Sequence, residues 1–285
     1  MNENKTNINW YPGHMAKTKR LIKEKLNLID IVFEVIDARI PYSSKIKDID
    51  EIIKNKPKIL ILTKYDFCDK EQTIKWIKYY ENNNYKVIPL NLNENIKVDN
   101  IIKTVSEMLE ELDKKRNDKD LLKRKYRALV IGVPNAGKST LINKLSGMKV
   151  ANTGNMPGVT KEVNWIRIGK LELLDTPGIL WPKLDDEKVA YNLASLTAIK
   201  EEILPIYEVV DYILNTLYKY YPNILKERYK IDSIEEDITY TLDEIGKNRG
   251  CLFKGGETDY DKVVQLIMND IKKGLIKGIT FDRIN

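Results

Sequence analysis

Residues Gly132-Val-Pro-Asn-Ala-Gly-Lys138-Ser139 match the spacing G-x-x-x-x-G-K-S. Small residues let successive backbone N–H groups face one point, and a helix opening at the lysine turns its positive end toward the same point. That is the chemistry of a phosphate cradle. Lys138 is placed to reach β- and γ-phosphates, and the Ser139 hydroxyl to ligate Mg²⁺. The expected nucleotide contacts here are Asn135, Ala136, Gly137, Lys138, Ser139 and Thr140.

Two further segments supply what such a cradle needs. Asp175-Thr-Pro-Gly178 ends an apolar run at 171–174. An acid at the end of a second strand is the usual water-mediated partner of the metal, and Gly178 can offer its N–H to a γ-phosphate without side-chain obstruction. Between the two lies Met156-Pro-Gly-Val-Thr160, where Thr160 is expected to join the metal shell when γ-phosphate is present and leave it after hydrolysis. Base selection falls to Thr63-Lys64-Tyr65-Asp66. A carboxylate at position 66 accepts from guanine N1–H and N2–H₂ together, a donor pair that adenine lacks. The Lys64 stem can lie along the base, and Asn91, in 90–92, is placed to offer a backbone N–H to the guanine oxygen.

The elements that must hold these residues alternate. Runs at 29–36, 58–62, 85–90 and 126–133 read as strands, and 163–168 with 170–174 as a hairpin about Gly169. Helical spacing covers 70–82, 101–112 and 138–145. This predicts an α/β domain with a mostly parallel sheet and helices on both faces. Beyond Gly178 the pattern becomes helical (187–199, 206–221, 233–247, 260–273) with no strong strand. We expect a GTPase domain over 1–180 and a smaller all-α domain over 181–285. The base-reading segment precedes the phosphate loop, the reverse of the order in regulatory GTPases, so the domain reads as circularly permuted.

Composition sets the limits. The chain has 285 residues, 42% hydrophobic and 32% charged, which is enough apolar material for real cores. No apolar run is long enough to span a bilayer, and the polar N-terminus has no secretory h-region, so the cytoplasm is the expected compartment. Cys68 and Cys251 are expected as reduced core residues. The net charge of +6 is concentrated at 17–25 and 114–127.

This motif order, together with Asn9-Trp-Tyr-Pro-Gly-His14-Met-Ala-Lys, Asp37-Ala-Arg-Ile-Pro-Tyr-Ser-Ser44 and Gly250-Cys-Leu-Phe-Lys-Gly-Gly-Glu257, resembles the ribosome biogenesis GTPase A family of circularly permuted GTPases. The likeness runs from about residue 8 to residue 284. It implies a cytoplasmic GTPase acting in assembly of the large ribosomal subunit, with a helical domain that contacts rRNA. It implies that His14 is the catalytic histidine and that Asn135 holds K⁺ beside the phosphates. Two positions depart from the family pattern: Thr63 stands where Asn is usual, and 90–92 lacks the Ser-Ala-like signature. Ile179 stands where Ras-like enzymes carry the water-orienting Gln. The expected partners are GTP or GDP and the large-subunit precursor, and the expected state is a monomer. A metabolic P-loop kinase would need an Arg-bearing lid that the sequence lacks. A slow or non-hydrolysing GTP-regulated RNA-binding scaffold is the alternative that Ile179 favours.

Overall fold

The computed structural model describes residues 8–9, 13–47, 49–54, 56–117, 124–151, 164–180, 183–184, 186–199 and 204–284. In chain order the strands are β1 (Ile8–Asn9), β2 (Ile31–Asp37), β3 (Lys58–Thr63), β4 (Lys86–Pro89), β5 (Tyr126–Ile131), β6 (Asn164–Ile168), β7 (Leu171–Asp175) and β8 (Lys183–Leu184). The helices are α1 (Gly13–Lys25), α2 (Ile49–Ile53), α3 (Lys70–Asn82), α4 (Val98–Met108), α5 (Glu110–Asn117), α6 (Lys138–Ser146), α7 (Glu187–Ser195), α8 (Ile206–Tyr220), α9 (Pro222–Tyr229), α10 (Ile238–Arg249) and α11 (Tyr260–Lys272).

The main sheet has the order β4-β3-β2-β5-β7-β6, parallel except for the β6–β7 hairpin. β2 is central and buried along its whole length, as expected of an apolar run covered on both faces. Strand alternation divides the core. Phe33, Val35, Ile59, Ile61, Ala128 and Val130 face α4 and α6. On the other face Val32, Leu129 and Ile131 meet α1 and α2, while Leu60 and Leu62 meet Trp76 and Tyr80 of α3. The first of these cores continues into the C-terminal helices through Val210, Ile213, Ile245 and Ile267. Asp69, Asp186, Asp237 and Asp259 each cap a helix by accepting from a first-turn N–H.

Three details depart from the periodicity. The expected helix at 101–112 breaks at Leu109, which turns inward, and separates α4 from α5. α9, with Pro222 in its first turn, occupies a stretch that the pattern left as a connection. β8 is a short strand beyond Gly178 and pairs antiparallel with β1, Ile8 opposite Leu184. This lays the N-terminal segment beside the exit of the Asp175–Gly178 segment. Cys68 and Cys251 are both buried and unpaired, as expected.

After α11 the chain returns to the sheet. Gly278 and Ile279 donate to the Phe67 carbonyl, Phe281 N donates to Arg39 O, and Asp282 accepts from the N–H groups of Tyr42 and Ser43. Arg39, fully buried, donates Nε and Nη2 to Asp37 and Nη1 to Ile271 O of α11 at 2.7 Å. Removing one partner of a buried pair strands the other charge. Arg39→Ala should therefore lower stability by about 3–5 kcal/mol, read as a shift of the denaturant midpoint. A midpoint within error of the parent would mean that the pair is dispensable.

Candidate functional site

The carboxyl ends of β2, β3, β5 and β7 meet at one edge of the sheet, where open α/β folds hold ligands. The loop between β5 and α6 is shaped by backbone that favours special residues. Gly137 has φ 94° and Asn135 φ 60°. A Cβ on Gly132 would lie 2.3 Å from Val35 O, and one on Gly178 would lie 2.7 Å from the backbone of Pro134. Gly178 is thus pressed onto the phosphate loop, close enough for its N–H to serve the same ligand.

Lys138 folds back onto its own loop. Its Nζ donates to Gly132 O at 3.1 Å and Val133 O at 2.9 Å. Burial lowers its pKa to about 8, against the opposing pull of Asp175. Burial likewise pushes the Asp175 carboxyl up to about 6, with Lys138 opposing. Among the described residues Asp175 Oδ1 is buried without a hydrogen-bond partner. An orphaned carboxylate oxygen beside a P-loop lysine is what a Mg²⁺-bound water would satisfy, so Ser139 and Asp175 fit the metal that the nucleotide brings. When bound, that ion neutralises phosphate charge. Thr140 lies exposed in the first turn of α6.

The base-reading segment is fastened directly to this loop. Thr63 Oγ1 donates to Ala136 O at 2.5 Å and lies 3.1 Å from Ile36 O. The hydroxyl therefore supplies part of the bracing that an Asn would give. Lys64, with φ 55°, donates to Asn135 O at 2.8 Å and pairs with Asp37 at the same distance. Burial pushes the Asp37 carboxyl up, but Arg39 and Lys64 outweigh it and hold it well below the carboxylate range. Asp66 accepts from Asn93 Nδ2 at 2.9 Å.

Asn91 does not face the base through its side chain. It bonds Glu94 and accepts from Asn93 N, closing an Asx turn. Leu92 packs against Gly137, so the 90–94 loop does touch the phosphate loop. Asn135 donates Nδ2 to Thr197 O at 2.6 Å and to Thr197 Oγ1 at 3.0 Å, a link to the turn after α7. Ile179 is buried in the apolar core with Ile22 and Leu174, and only its N–H faces the loop, donating to Gly132 O. Thr160 lies outside the described residues, and so does the side chain of His14, whose backbone opens α1. Asp37, Arg39, Asn93 and Thr197 were not picked out as site residues in the sequence. Asp37 and Arg39 entered the sequence reading only within the 37–44 segment that carries the resemblance, while Asn93 and Thr197 carried no signal.

Fold and site together define a circularly permuted P-loop GTPase. Residues 127–252 match the family model described as "50S ribosome-binding GTPase". The chain is 47% identical over 277 residues to "Ribosome biogenesis GTPase A" of Priestia megaterium, covering 96% of each. It is 31% identical over 281 residues to the protein of the same name from Thermotoga maritima, covering 97% of this chain and 94% of the relative. GNP-bound YlqF from T. maritima superposes with a TM-score of 0.65 at 28% identity, covering 94% of this chain and 98% of that one. This chain belongs to the ribosome biogenesis GTPase A family.

Two outcomes test the site. Asp66→Asn turns an acceptor into a donor facing guanine's donors. With two charge-assisted bonds at about 1.5–3 kcal/mol each, GTP affinity should fall by about 3–6 kcal/mol, with xanthosine triphosphate partly restored. Titration of both nucleotides checks this, and unchanged GTP affinity would remove Asp66 from base selection. The second outcome concerns pH. The folded pKa of Asp175, about 6, lies above its ordinary 3.8. The native state therefore binds the extra proton between these values, and the contribution to stability present below pH 4 is lost as pH rises through 6. Unfolding midpoints of the nucleotide-free protein should fall more steeply over pH 4–6 in the parent than in Asp175→Asn; parallel slopes would contradict the buried carboxyl.

Proposed function

We propose that this chain is a GTP-binding and GTP-hydrolysing assembly factor for the large ribosomal subunit, with hydrolysis stimulated by the particle and coupled to release from it. The observation that carries the reading is the bond from Asn135 in the phosphate loop to Thr197 after α7. Together with Arg39 on Ile271, it ties the nucleotide-binding edge to the helices that follow Gly178. The phosphate loop and the helices after Gly178 are thus joined by direct hydrogen bonds, which supports coupling of nucleotide state to helix placement. On this reading residues 1–180 form the GTPase unit and 181–285 the helical unit that docks on rRNA. The protein acts as a cytoplasmic monomer. Among the described residues no helix is long and apolar enough to cross a membrane.

The site residues take the roles that their positions support. Asp66 selects guanine. The N–H groups of 135–140 and Gly178, with Lys138, hold phosphate. Ser139 and Thr160 ligate Mg²⁺, Asp175 acting through water. Asn135 Oδ1 is the atom suited to a K⁺ ion. His14 is the candidate to orient water, a role that Ile179 is buried too deeply to take. The β1–β8 pairing supports this, because it brings the N-terminal segment alongside the chain leaving Gly178. The basic stretch 114–127 is partly committed within the fold: Arg116 and Arg124 both bond Asp30, and Arg127 bonds Glu172.

The buried Ile179 also favours a second reading, a GTP-regulated RNA-binding scaffold that turns over slowly or not at all. Turnover with and without large-subunit precursors, in K⁺ and in Na⁺, separates the two. The expected outcome is slow turnover alone and strong stimulation by the particle in K⁺. His14→Ala should keep GTP binding and particle association while losing about 10²-fold or more of the stimulated rate, the scale of a positioned proton-transfer group. Equal stimulation of parent and variant would make His14 structural, and no stimulation of either would favour the scaffold.

A further inference from the structure

Away from the nucleotide edge, a cleft of about 320 Å³ opens between the 42–47 loop, α3, the 83–85 turn and α7. Its walls are Tyr42, Tyr79, Tyr80 and Tyr85, with Lys45 and Lys47 at the rim. The rings are mounted on a support. Trp76, itself buried, stacks under Tyr42 at 5.7 Å and 29° and meets Tyr79 edge-on at 5.5 Å. Tyr80 and Tyr85 meet edge-to-face at 5.8 Å, and Tyr80 OH is anchored on Pro41 O at 2.9 Å. Lys45 Nζ lies 5.1 Å and Lys58 Nζ 4.6 Å from the centre of the Tyr85 ring. Tyr42 and Tyr79 nevertheless remain 43% and 45% exposed. Large flat rings, fixed by packing beneath and left open to solvent above, have no role in the phosphate or base contacts described above.

We propose that this cleft binds one unpaired RNA nucleotide, its base stacked on Tyr42 or Tyr79 and its phosphate held by the lysines. Aromatic faces read an unstacked base with little sequence preference, and ammonium groups follow the backbone. The volume stands at the lower end of small-ligand clefts and suits a single base with its sugar, not a helix. Among the described residues the lining offers one aliphatic side chain, the buried Val189, where a peptide groove would present several apolar anchors. The position also matters. The backbone N–H groups of Tyr42 and Ser43 are held by Asp282, and this loop begins three residues after Arg39. A nucleotide seated here would bear on the loop that leaves the Asp37–Arg39 pair. This site is separate from GTP turnover and is tested without it.

The experiment uses the full chain saturated with GDP and a fluorescein-labelled ten-nucleotide single-stranded RNA, read by anisotropy. Tyr79→Ala should bind about ten-fold more weakly, Tyr79→Phe should match the parent, and GDP affinity should be unchanged in both. Lys45→Ala should make the salt dependence shallower by about 0.7 in log–log slope. In the parent, photocrosslinking with 4-thiouridine-substituted RNA should label peptides carrying Tyr42 or Tyr79, a readout that needs no variant. Equal affinity of parent and Tyr79→Ala would overturn the proposal, as would crosslinks confined to other peptides. Equal weakening of duplex RNA by Tyr79→Ala would overturn the single-strand assignment. Displacement of the RNA by millimolar uridine monophosphate would transfer the site to free nucleotides.

Discussion

The carboxylate of Asp37 is the charge on which the rest of the site depends. It is buried at the end of the central strand, and it takes bonds from Arg39 Nε and Nη2 and from Lys64 Nζ. Each of these cations is spent twice. Lys64 also holds Asn135 O of the phosphate loop, and Arg39 also holds Ile271 O of α11. A buried ion pair by itself is a weak source of stability, because desolvation offsets much of the attraction. Its value here is geometric. Through its two cations one carboxylate ties the 63–66 turn, the phosphate loop and the last helix to a single strand end, and a shift of the loop or the helix would take a carbonyl acceptor from a buried cation.

The permuted order gives that arrangement its direction. The strand that ends at Asp175 leads through Gly178 into the C-terminal helices, and the chain end comes back to Phe67 and Arg39. The helical part is therefore attached on both sides of the nucleotide: through β7 and the turn at Thr197 on the phosphate side, and through residues 278–282 on the base side. Tyr221 reinforces the second attachment, since its hydroxyl donates to Asp69 and accepts from Thr280 N. Both loops are therefore bonded to the same set of helices.

Packing holds the polar groups of the phosphate edge in place. Lys138 donates to two carbonyls of its own loop, and Asn93 donates to Asp66. Among the described residues Asp175 Oδ1 is buried with no hydrogen-bond partner, an arrangement that costs about 1–3 kcal/mol.

The local pattern of the chain carried a large part of this. The G-x-x-x-x-G-K-S loop, the acid closing β7, the threonine–lysine–aspartate turn and their reversed order are all contiguous features, and helical and strand periodicity placed them on the right elements. What the sequence left open were the meetings. Asn93 on Asp66, Asn135 on Thr197 and Arg39 on Ile271 join residues 27, 62 and 232 positions apart. Such pairs leave no trace in a period of two or of 3.6, which report only which side of an element is apolar. Asp37 and Arg39 lie two positions apart, but their shared partner Lys64 comes from the end of another strand. Tyr42 and Trp76 likewise lie on separate segments that the fold brings together. Sequence determined which groups were present and what chemistry each could do; tertiary packing decided which of them share one charge, because that depends on where strands and helices stack, and stacking is a property of the whole core.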